Sequence, residues 1–83
     1  MNGVLADAIG LVGSALFVIG YLYSNVAKTI DFRLFNALNL VGAVLLIISL
    51  SVHFNLASMA LEICWGLIAA FGLIKALRSR KPA

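Results

Sequence analysis

Glu62 is the one acidic residue that stands well inside an apolar run, and Trp65 follows it one helical turn later on the same face. At about 1.5 Å per residue, Glu62 lies roughly 9 Å below the outer end of its run, too deep for casual solvation. A carboxyl group in lipid is costly and marks a functional site by default. No Lys or Arg is expected at that depth. Protonation, a bound cation, or hydrogen bonds from Ser14, Ser49 or Trp65 are therefore the ways to satisfy it. The residue is either a protonatable site or a neutral lock between two helices. Trp65 would then form an apolar or cation-attracting wall beside it, or serve in packing. Asn36 and Asn39 put two amides into another apolar run, where each needs a partner away from water. They either tie neighbouring helices together or line a wet path, with Leu46 and Ser49 further along the Asn39 face.

Other chemistry is not encoded. There is no Ser/His/Asp or Cys/His constellation, no phosphate-binding glycine loop and no pair of catalytic carboxylates, so neither an enzyme nor a cofactor is expected. His53 has no second His, Cys or carboxylate at metal-ligand spacing, which argues against a metal site and leaves a surface or gate role, shared with Asn55. Cys64 is the sole cysteine, so an intramolecular disulfide is excluded and a small buried packing residue is expected.

The elements that must position these residues follow from hydropathy. Hydrophobic residues make up 64% of the 83 positions and charged residues 11%, with a mean hydropathy of +1.14, far from a soluble domain. Apolar segments run over about residues 4–23, 34–52 and 56–77, each close to the roughly 20 residues that a spanning helix needs. Runs of that length are too long for membrane strands, so the expected fold is all-α: a single membrane domain of three transmembrane helices over residues 1–83, followed from 78 by a basic tail. The first segment has Asp7 near its start and no preceding Lys/Arg cluster, and is read as a retained helix rather than a cleaved signal. Pro82, the only proline, lies beyond the spans.

The net charge of +3 comes from six basic residues that all flank apolar segments. They read as topology signals and not as a nucleic-acid surface. Lys28 and Arg33 occupy the first loop, and Lys75, Arg78, Arg80 and Lys81 the carboxyl end, which three crossings bring to one side. The positive-inside rule makes that side cytoplasmic and puts the amino terminus outside, as expected of a multi-pass protein of the inner (plasma) membrane. Tyr21, Tyr23 and Phe32 then fall at the inner boundary as aromatic anchors.

Each segment also carries a stripe for close packing. Ala6, Gly10, Gly13, Phe17, Gly20 and Ser24 step by four and three along the first. Asn39, Gly42, Leu46, Ser49 and His53 share a face of the second, and Ser58, Glu62, Trp65, Ala69 and Gly72 a face of the third. Lipid gives no hydrophobic drive for helix association, so helices meet through such small and polar residues.

Three spans, a cytoplasmic first loop, a very short outer loop, and the pairs Ile9-Gly10, Val41-Gly42 and Asn55-Leu56 together resemble the bacterial SemiSWEET half-transporters of the SWEET and PQ-loop superfamily. The resemblance covers nearly the whole chain. Its pocket tryptophan and pocket asparagine fall at Leu46 and Glu62, and its Pro-Gln pair at Tyr23-Ser24, where this chain has neither residue. What it implies is a parallel homodimer of three-helix bundles that opens a central pocket alternately to each side. The expectation is thus a SemiSWEET-like transporter of a small polar or cationic solute, with Glu62 as the candidate for proton coupling and Trp65, Asn39 and Ser49 along the path. The alternative is a small accessory subunit packed against a larger membrane complex, its stripes serving as binding faces.

Overall fold

The computed structural model describes residues 1–79. It consists of three α-helices, α1 (Gly3–Val26), α2 (Phe32–Leu50) and α3 (Leu56–Arg78). All three are long and apolar enough to cross a membrane. Arg80, Lys81 and Pro82 of the expected basic tail lie outside the described residues.

Each helix starts where a short polar side chain can take up free backbone N–H groups. Asn2 accepts from the Leu5 N–H at 2.7 Å, Asp31 from those of Arg33 and Leu34, and Asn55 from that of Ser58 at 2.9 Å. These caps move the helix bounds away from the hydropathy bounds. Capping by Asp31 starts α2 at Phe32, before the apolar run proper, and α1 continues through Ser24 and Asn25, whose side chains both donate to the Tyr21 carbonyl. The first loop is drawn tight by Tyr23, whose hydroxyl accepts the Asp31 N–H at 2.7 Å.

The helices run up, down and up, with a long dimension of 43 Å. α2 packs against both α1 and α3, whereas the backbones of α1 and α3 do not meet. α2 is thus the middle of a row. The side chains that allow it are small. Ala6, Gly13 and Gly20 of α1, Gly42 and Ala43 of α2, and Ala69 and Ala76 of α3 are buried, and no bulky side chain among the described residues is fully so. Many of the Leu, Ile and Val side chains are exposed instead, the inverse of a water-soluble core and the pattern that lipid permits.

Gly13 and Gly42 mark the closest approach of α1 to α2. A Cβ on Gly13 would stand 2.9 Å from the Gly42 carbonyl oxygen, and one on Gly42 would meet the Phe17 ring at 2.9 Å. On the other side of α2, Asn36 leans on Gly72, where a Cβ would come within 2.5 Å of its Oδ1.

Candidate functional site

The polar centre of the bundle is Asn39, buried on α2. Its Nδ2 donates to the Phe35 carbonyl at 2.8 Å, and its Oδ1 accepts the indole N–H of Trp65 from α3 at 3.0 Å. Lipid offers an amide nothing to bond, so the pairing satisfies two costly groups at once. Trp65 also meets Phe17 of α1, with ring centroids 5.5 Å apart and planes tilted by 46°. α1 and α3 are thus bridged by two side chains over the top of α2. Phe17 can lie there because Gly42 leaves the space for its ring.

This bridge borders two clefts. The larger, about 550 Å³, lies among all three helices and is lined by Phe17, Tyr21 and Ser24 of α1, Phe35 and Asn39 of α2, and Trp65 of α3. The smaller, about 170 Å³, lies between α2 and α3 and is lined by Asn36, Ile68 and Ala69 together with the same Phe35, Asn39 and Trp65. Those three residues form a common wall. Both clefts lie toward the first-loop end of the bundle.

The structure divides the expected site residues into groups. Asn36, Asn39 and Trp65 come together. Ser49 does not join them: its hydroxyl donates to the Ala6 carbonyl at 2.7 Å and ties α2 to α1 near the opposite end, beside Gly10. Leu46 packs against Gly13 rather than lining either cleft. Glu62 is one turn from Trp65 along α3, and its Oε1 is buried without a hydrogen-bond partner. None of its three expected donors serves it: Ser49 and Trp65 are bonded elsewhere, and Ser14 faces outward. Among the small positions, Gly10, Gly13, Gly42, Ala69 and Gly72 all lie at helix contacts, and Gly20 lies against Asn39 at ordinary contact distance. Cys64 is exposed, contrary to the expected buried packing residue, because α3 uses the face of Ala69 and Ala76 against α2 and turns Cys64 away.

A protein-family model matches residues 6–81, which takes in α2, α3 and all but the first three residues of α1. The chain belongs to that family. Membership fixes the extent of the shared segment and not an activity. No curated protein and no solved structure matches the chain.

Several partners within this family member escape a reading by helix face alone. His53 Nε2 lies 3.1 Å from the Asp7 carboxylate and 3.3 Å from the Gly3 carbonyl, so the turn after α2 is clasped to the start of α1. Arg33 reaches the other way, donating from Nε to the Ala76 carbonyl at 3.3 Å and from Nη2 to that of Ser79 at 3.2 Å. It thereby ties the first turn of α2 to the end of α3. The Asn and Asp caps are a signal in the sequence, since each stands within three residues of the start of an apolar run.

Proposed function

We propose that the protein is a SemiSWEET-like carrier that works as a parallel homodimer in the plasma membrane, with its amino terminus outside and its basic end in the cytoplasm. Its solute is small and polar or cationic, and access alternates between the two sides. The observation that carries this reading is the Asn39–Trp65 hydrogen bond at the wall of a 550 Å³ cleft inside the span. Polar pairing beside an open cleft is what a solute site at membrane depth requires, and repeated helical units commonly form such sites between them.

A single chain lines this cleft on three sides only, because α1 and α3 flank α2 in a row. A second copy facing it would complete the enclosure. Glu62, with one carboxylate oxygen buried and unpartnered, is the group for proton coupling. Two copies bring two such carboxyls toward one axis, where like charges repel and protons or a cation are held. The test is uptake into liposomes containing the purified protein and a pH-sensitive dye.

One observation favours the accessory-subunit reading. The surface of α3 is largely uncovered in the single chain, as a helix that packs against a larger partner would be. Recovery from native membranes in mild detergent separates the two, as a dimer for the carrier and as a larger complex for the subunit.

A further inference from the structure

The larger cleft is unusual in what it offers a solute. Four aromatic residues line it, Phe17 and Tyr21 from α1, Phe35 from α2 and Trp65 from α3, and among the described residues no Lys or Arg does. Apart from the Tyr21 hydroxyl, its polar side chains are already engaged. The Trp65 N–H is donated to Asn39, the Asn39 amide bonds both Trp65 and the Phe35 carbonyl, and the Ser24 hydroxyl donates to the Tyr21 carbonyl. A polyhydroxylated solute entering it would give up its hydrogen bonds to water and find few in return, at a cost that apolar contact would not offset. An alkylammonium ion has no such demand. It is weakly hydrated for a cation, and the faces of aromatic rings attract it with a strength that grows as water is excluded.

Resting on the carrier reading above, we infer that the solute is a free organic ammonium cation held in a cage formed by Phe17, Tyr21, Phe35 and Trp65. Tyr21 and Ser24 of its lining lie in the last two turns of α1, at the first-loop end. Tyr21 is well exposed and contributes to the cage without holding the helices together, so its ring can be removed with the fold kept.

Trp65 is the only tryptophan in the sequence and reports on the cage directly. The purified protein in maltoside micelles is titrated with choline and, separately, with its neutral isostere 3,3-dimethylbutan-1-ol, while Trp65 emission is followed. Choline should change the emission saturably, the neutral alcohol should not, and Tyr21→Leu should weaken choline binding roughly three- to thirtyfold, the range spanned by one cation–ring contact. An absent or unsaturable response to choline, an equal response to the alcohol, or unchanged binding in Tyr21→Leu overturns the assignment. A lipid ammonium headgroup is distinguished by repeating the titration in vesicles with and without phosphatidylethanolamine. Binding of choline that persists in both supports a free solute, and binding abolished by the lipid overturns that choice.

Liposome uptake separates this inference from the reading it rests on. Choline binding without uptake of any solute would leave the cage standing and remove the carrier. Proton-linked uptake of a sugar, with no choline binding, would leave the carrier and remove the cage.

Discussion

Gly13 of α1 and Gly42 of α2 stand so close that a Cβ on either would press on the backbone oxygen of the other, at 2.9 and 3.0 Å. The same bare surface at Gly42 admits the Phe17 ring, which continues to Trp65 and from there to Asn39. The packing of α1 on α2 and the wall of the cleft therefore depend on one glycine.

Gly42→Leu should separate α1 from α2 and displace Phe17. Overpacking of a close contact costs about 1–3 kcal/mol, which should appear as a lower midpoint in detergent-induced unfolding and as a shifted Trp65 emission. An unchanged midpoint would mean that the two helices do not meet at this glycine.

Ser49 and Gly10 should behave as a coupled pair. Ser49→Ala removes the hydrogen bond to the Ala6 carbonyl, worth about 0.6 kcal/mol for an interhelical contact in a membrane. Gly10→Ala alone drives a methyl to 2.7 Å from the Ser49 hydroxyl oxygen. It should cost less in the Ser49→Ala background, and a double-mutant cycle by unfolding in detergent measures the difference. Strict additivity would contradict the contact.

Asn39→Leu takes the acceptor away from the Trp65 N–H and leaves it facing an apolar wall. The emission maximum of this sole tryptophan should move to shorter wavelength, with a loss of stability of about 0.6 kcal/mol. Emission that does not move would show that the indole is not bonded to Asn39.

Glu62→Gln should abolish proton-linked uptake while leaving the assembled state intact, because the amide keeps the size of the carboxyl and loses its proton exchange. The two readouts are internal pH change in liposomes and size-exclusion chromatography. Uptake equal to that of the parent protein would remove Glu62 from the mechanism.

Much of the packing is legible in the sequence because lipid imposes a simple rule. Helices in a membrane meet through small residues, and the stripe of Ala6, Gly10, Gly13 and Gly20 could face only another helix. The face of Asn39, Gly42 and Ser49 is the matching surface on α2. What the stripes do not contain is the relative height and rotation of neighbouring helices, and the pairings depend on both. A shared face suggests one path for Asn39 and Ser49, yet a rise of ten residues puts about 15 Å between them along α2, and Ser49 is bonded to Ala6 of α1. Chemical type alone makes Ser14 a donor and Cys64 a packing residue, while the rotation of their helices turns both outward. The bonds from Arg33 to the end of α3 and from His53 to Asp7 join residues far apart in sequence, at helix ends where hydropathy carries no signal.

The central claim is that this cleft belongs to a carrier, and proteoliposome uptake tests it most directly. Purified protein is reconstituted with a pH-sensitive dye inside, and a panel of ammonium compounds, sugars and vitamins is supplied outside. The account predicts an internal pH change that depends on an organic ammonium and is absent in Glu62→Gln. No response to any solute from protein that remains folded, with a larger complex recovered from native membranes, would contradict it.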